Sequence, residues 1–187
     1  MLTLREFAMA LAGIMRLVRL DAQGLAFFGN DATAFWRSFS AAMLVAPVHF
    51  ALVFLDLPVE IAARPLHTSL VQAIAYVIAW VAYPLAMVHI SRFLGRESLF
   101  FRYMAAYNWF QVAQAAIVLP ASLLAATGLL SNDAIALLGL FVLSAILMYD
   151  WFIARSALGV DGAQAAALVT IDLLLGLLIS GAADSLL

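Results

Sequence analysis

The chain has 187 residues, of which 67% are hydrophobic and 11% charged, and its mean hydropathy is +1.08. Soluble domains carry roughly 45–50% apolar and about 25% charged residues, so a water-exposed globule is excluded and the expected solvent is a bilayer. The absence of cysteine excludes disulfides, thiolate metal sites and thiol catalysis, and a net charge of −2 leaves no footprint for nucleic acid. All nine basic residues are arginine, the better partner of the two for lipid phosphate.

The first element is an amphipathic helix. At 100° per residue, Leu4, Phe7, Leu11, Ile14, Met15 and Val18 share one face, and Arg5, Arg16 and Arg19 cluster opposite. The pattern predicts a helix lying at the membrane surface with its arginines toward anionic headgroups, in preference to one packed on the rest of the protein. The apolar run "FAMALAGIM" is short and is followed by arginines, so it is not read as a signal peptide. Residues 1–33 are expected to form this cytoplasmic segment, ending in a turn where Asn30 or Asp31 caps the next helix.

Five apolar segments follow within residues 34–187, at 34–55, 68–93, 103–124, 133–152 and 163–183. Each approaches the ~20 residues that span ~30 Å of hydrocarbon. The expected fold is therefore all-α: a polytopic membrane bundle of five transmembrane helices behind an amphipathic interfacial helix. Pro47, Pro84 and Pro120 fall inside the first three spans, where proline kinks a membrane helix without ending it. Pro58 and Pro65 lie in the first connection and are read as helix breakers. No soluble domain, low-complexity tract or internal repeat is visible, so an inverted-repeat transporter has no sequence support.

Counting arginines in alternate connections orients the chain. One side receives Arg5, Arg16, Arg19, Arg37, Arg92, Arg96, Arg102 and Arg155, and the other only Arg64. The positive-inside rule then places the amino terminus in the cytoplasm and the carboxyl terminus on the opposite side. Arg5, Arg16, Arg19, Arg92, Arg96 and Arg102 are the candidate membrane-surface residues. Tyr107, Trp109, Tyr149 and Trp151 are expected to be interface anchors.

Chemistry has to come from a few intramembrane polar groups. Asp172 lies ten positions into the last span, about 15 Å deep at 1.5 Å per residue. A carboxylate at that depth costs roughly 2.5–3.5 kcal/mol, so Asp172 should face protein, protonated or hydrogen-bonded. Asn108, Gln111 and Gln114 recur in the third span, and Gln111 or Gln114 is the expected partner of Asp172. Asp150 is expected to pair with Arg155 or with an arginine of the Arg92–Arg102 connection. His89 lies near the arginine-rich end. Two readings of the cluster compete: hydrogen bonds that tie helices together, favoured here, or a proton or ion relay through Asp172, Asp150 and a histidine.

No HExxH, GxSxG, P-loop or GxGxxG pattern is present, and no catalytic residue, metal site or cofactor is expected. His49 and His89 differ too much in depth to suggest paired haem ligands. "DGAQAAA" at Asp161 reads as a helix cap and first turn. The stretch "AWVAYPLAMVHISRFLGRESLFFRYMAAYNWFQV", Ala79 to Val112, resembles the central part of bacterial Yip1-type membrane proteins, and so does the layout of five close spans after an amino-terminal segment. The tyrosine-glycine and acidic-Gly-Pro signatures of eukaryotic members are absent, so their trafficking partners do not carry over. The resemblance implies a non-enzymatic scaffold or interaction component. Its partners would be the lipid bilayer and a membrane protein or a second copy of the chain. The alternative is a small proton- or ion-linked transporter or channel subunit built on Asp172.

Overall fold

Helix geometry follows from the sequence wherever a cap meets an apolar run. The computed structural model of the protein describes residues 3–55, 61 and 64–187. Helix α1, Leu4–Val18, starts in a reciprocal cap. The Thr3 hydroxyl accepts from the Glu6 amide at 3.2 Å, and the Glu6 carboxylate accepts from the Thr3 amide at 2.9 Å. A 3₁₀ turn at Ala22–Phe27 leads to α2, Ala32–Ser38, which Asp31 caps through the Ala34 amide at 2.9 Å. Asn30 does other work: it donates to the Ser98 carbonyl at 2.8 Å and accepts from the Arg102 amide at 3.1 Å.

The long helices are α3, Ser40–Leu55; α4, Pro65–Phe93; α5, Phe100–Ala126; α6, Asn132–Leu158; and α7, Gly162–Asp184. Five stretches are long and apolar enough to cross a membrane: Ala32–Leu55, Pro65–Phe93, Glu97–Ala126, Asn132–Leu158 and Gly162–Asp184. The all-α, five-span expectation holds, with each stretch longer than the apolar run suggested, because polar caps and turns extend the helices beyond the hydrocarbon. Pro47, Pro84 and Pro120 all lie inside helices, as expected. Pro65 does not break a helix but begins α4, where its missing N–H costs nothing. Pro58 lies outside the described residues. Asp161 caps α7 with Gln164 in a second reciprocal cap.

The first span is interrupted between α2 and α3. Ser38 is fully buried there, with its hydroxyl donating to the Phe35 carbonyl at 2.6 Å. Asn108 of α5 donates to that same hydroxyl at 2.9 Å. A polar group from the neighbouring helix thus meets the backbone where the helical ladder breaks.

Helix α5 is the hub: it packs against α1, α2, α3, α4 and α6, while α7 packs between α4 and α6. Core residues concentrate toward the arginine-rich end, with Tyr103, Met104, Ala106, Phe110, Ile153 and Leu158 all buried. The outer surfaces are apolar. Met43 is 79% exposed, Phe141 72% and Leu178 70%. Contiguous apolar surface on this scale is stable only against lipid.

Helix α1 does not present the face that periodicity selected. Ala10, Gly13, Ile14 and Leu17 are buried, with Phe7 and Leu11 beside them, whereas Leu4, Met15 and Val18 are exposed. The helix packs on the arginine-rich end of the bundle, and Phe7 meets Trp109 at a ring separation of 6.0 Å. The 3₁₀ turn is what rotates it. A Cβ on Gly24 would lie 2.7 Å from the Gly13 carbonyl oxygen, and one on Gly13 would lie 2.8 Å from the Phe28 ring. These two glycines let the chain fold back on α1 and cover the small-residue face.

Candidate functional site

The polar residues of α5 form a stripe. Tyr103, Tyr107, Gln111 and Gln114 fall within about 80° of one another at 100° per residue, and Asn108 points away toward the first span. The stripe faces α4, α6 and α7; Tyr103, Tyr107 and Gln114 each bond a different group, and Gln111 lines a cavity.

Tyr107 reaches Asp172 of α7. Its hydroxyl lies 2.8 and 2.9 Å from the two carboxyl oxygens and donates to them. Gln114 donates to Asp150 of α6 at 2.8 Å, and Asp150 is only 6% exposed. Tyr103, at one end of the stripe, shares a 2.6 Å hydrogen bond with Tyr83 of α4. The Tyr83 and Tyr107 rings pack at 4.8 Å, which places three tyrosines beside the carboxyl group.

Both expected carboxylate pairings are therefore replaced. Neither Gln111 nor Gln114 bonds Asp172, because the tyrosine one turn earlier on the same stripe gets there first. Asp150 does not pair with Arg155 or with the Arg92–Arg102 connection. Arg155 instead stacks over Trp151 at 5.1 Å from the ring centroid, and the carboxylate faces inward to the amide. Among the described residues the salt bridges are Arg37–Glu6 and Arg16–Asp21, both at the arginine-rich end.

The aromatic residues taken as lipid anchors also have protein partners. Trp109 is buried, and Tyr107 turns into the bundle. Tyr149 donates to the Val18 carbonyl at 2.9 Å and Trp151 to the Gly162 carbonyl at 2.9 Å, so they tie α1 and α7 to α6. His89 is exposed and stands apart from the polar cluster.

The arginines divide in the same way. Arg5, Arg19 and Arg92 are exposed. Arg16 is occupied by Gln23 at 3.1 Å, Asp21 at 3.6 Å and the Phe27 ring at 5.5 Å. Arg96 donates to the Gly159 carbonyl at 3.2 Å, at the negative end of α6. Arg102 is partly buried, and its Nε has no partner among the described residues.

Asp172 and Tyr107 lie on the wall of a half-open cavity of about 290 Å³. It runs between α3, α4, α5 and α7, and Tyr83, Gln111, Tyr76, Trp80 and His49 also line it. Tyr76 donates to the Ala42 carbonyl at 2.6 Å, and its ring packs on His49 at 4.7 Å. The His49 Nε2 atom is buried without a partner among the described residues. Toward α7 the wall becomes apolar, with Leu175, Gly176 and Ile179. Sequence reading dismissed His49 and passed over the α4 aromatics. Their signal was present: Tyr76, Trp80 and Tyr83 are spaced i, i+4, i+7, one face of a helix.

A larger cleft of about 530 Å³ opens at the arginine-rich end between α1, the 3₁₀ turn, α2 and α5. Its charged groups are already engaged, since Glu6 holds Arg37 and Asp31 caps α2. The cavity at Asp172 keeps polar groups, Gln111 and His49, that have no hydrogen-bond partner among the described residues. No arginine lines it, so its field is that of a carboxyl group among aromatic faces, which favours cations. Among the described residues no three His, Asp or Glu side chains gather as metal ligands.

Five apolar spans, four of which line a carboxyl-bearing cavity, define a multi-pass membrane protein. Compared with protein-family models, with curated proteins and with solved structures, the chain finds no match.

Proposed function

We propose that the protein is a small non-enzymatic transporter or channel subunit of a bacterial inner membrane, taking a proton or small cation at Asp172. One observation carries this reading. A carboxyl group at mid-span depth opens onto a cavity instead of being sealed in helix–helix contact. Structural glue would be packed dry, as Gln114–Asp150 is, whereas a polar group kept beside open volume inside the bilayer is the usual mark of a solute or ion site. The amino terminus and the arginine-rich end face the cytoplasm on this reading, in keeping with the arginine bias. The test is reconstitution in sealed vesicles carrying an imposed proton gradient. Wild-type protein should dissipate it faster than empty vesicles, and Asp172→Asn should match the empty control. Equal rates for wild type and Asp172→Asn would overturn the proposal.

A second reading keeps the scaffold role that the Yip1-type resemblance implies. The five-span layout and the docking of α1 against the arginine-rich end support it. Deleting residues 1–20 and repeating a crosslinking survey tests it: a changed partner set supports a docking platform at α1, and an unchanged set counts against one.

A further inference from the structure

The walls of the Asp172 cavity carry more information than the carboxyl group alone. Three kinds of surface meet there. Asp172 supplies negative charge, with the Tyr107 hydroxyl holding both of its oxygens on one side. Tyr76, Trp80, Tyr83 and Tyr107 supply aromatic groups from two helices. Val45, Leu175 and Ile179 supply apolar surface. The buried Nε2 of His49, without a partner among the described residues, adds one hydrogen-bonding atom.

A hydrated inorganic cation fits this lining poorly. Alkali and alkaline-earth ions are held by several oxygen ligands, and among the described residues the cavity's acidic complement is one carboxyl group. An anion is disfavoured by the same carboxyl and by the absence of arginine. An alkyl chain alone would leave Asp172 and His49 unmet. An organic ammonium ion satisfies all three surfaces at once. Its charge is attracted to ring faces, and its carbon groups have apolar side chains to lie on. The volume, about 290 Å³, is at the low end of the ~300–1,000 Å³ typical of ligand sites and so suits a small molecule.

We infer that the cavity between α3, α4, α5 and α7 binds a small organic ammonium ion, with Asp172 as its counter-charge and Trp80 and Tyr76 as its aromatic wall. This rests on the reading of the cavity as a solute site and names the class of solute.

The experiment is calorimetric titration of the full chain in lipid nanodiscs with ethylammonium and with tetraethylammonium, and with potassium chloride at matched ionic strength. At least one ammonium should bind and potassium should not. Asp172→Asn and, separately, Trp80→Leu should each weaken that binding about tenfold or more, while Asp133→Asn, an exposed acid at the end remote from the arginines, should leave it unchanged. Trp80 takes no part in the Tyr107–Asp172 hydrogen bond, so it keeps the test valid if Asp172→Asn fails to assemble. Binding that survives both substitutions, binding of potassium with equal affinity, or no binding of either ammonium would overturn the inference. The two proposals separate cleanly. Asp172-dependent gradient dissipation without ammonium binding removes the solute class and keeps the transport reading, and ammonium binding without any flux does the reverse.

Discussion

Tyr107 of α5 donates its hydroxyl to both oxygens of Asp172 of α7, at 2.8 and 2.9 Å, on the wall of the cavity between α3, α4, α5 and α7. Replacing Tyr107 with Phe keeps the ring packed on Tyr83 and removes only the donor. Stability in mild detergent should fall by about 0.6–2 kcal/mol, the range for one polar contact between membrane helices. Thermal unfolding of Tyr107→Phe beside wild type reads this, and no change would mean that water replaces the hydroxyl fully.

The Gln114–Asp150 pair should behave differently, because Asp150 is 6% exposed and borders no cavity described here. Gln114→Leu strands a buried carboxyl group and should cost about 1–3 kcal/mol. Combining it with Asp150→Leu removes both polar groups and should recover most of that loss. A double-mutant cycle of unfolding free energies checks it; additive losses would show that the two side chains do not act as a pair.

At the arginine-rich end, Gly24→Ala should disturb the docking of α1 more than Gly13→Ala. The new Cβ at Gly24 meets backbone, the Gly13 carbonyl oxygen at 2.7 Å, whereas at Gly13 it meets the movable Phe28 ring at 2.8 Å. Overpacking of this kind costs about 1–3 kcal/mol. Limited proteolysis after Val18 should accelerate in Gly24→Ala first, and equal rates for the two variants would contradict the backbone argument.

Sidedness is open to a direct check because the chain has no cysteine. Glu97→Cys reports the arginine-rich end, and Leu129→Cys, at a position 81% exposed, reports the other. In intact cells a membrane-impermeant maleimide should label the Leu129 position at once and the Glu97 position only after permeabilisation. The reverse pattern would invert the proposed topology.

Much of the fold was legible because a bilayer imposes its length on every spanning helix, and apolar runs with arginine-marked ends reveal that length. Asp161 and Asp31 were readable as caps for the same kind of local reason: the side chain bonds to an amide three residues on. The polar cluster was legible only in part, since His89 stands apart at the surface and Asn108 turns to the first span. Asp172, Asp150 and Gln114 all find partners inside the bundle, yet the pairing expected from depth was wrong for both carboxylates. Depth is one coordinate, and Tyr107 and Gln114 differ by two turns on the same stripe, so helix tilt and neighbour identity decide which acid each one meets. The amphipathic face of α1 was misjudged because periodicity weighs side chains by hydrophobicity, and the buried face here is chosen by the small residues Ala10 and Gly13.

The sequence by itself determined the solvent, the number of spans, the helix caps and the charge asymmetry between the two ends. Each of these depends on composition or on contacts within a few residues along the chain. Only the tertiary structure decided that α5 is the hub, that α1 docks instead of lying free, and that Asp172, Tyr107, His49 and the Tyr76–Trp80–Tyr83 stripe share one cavity. Those residues come from four helices as much as 123 positions apart, and nothing local in the chain records which helix faces pack together and which leave a space between them.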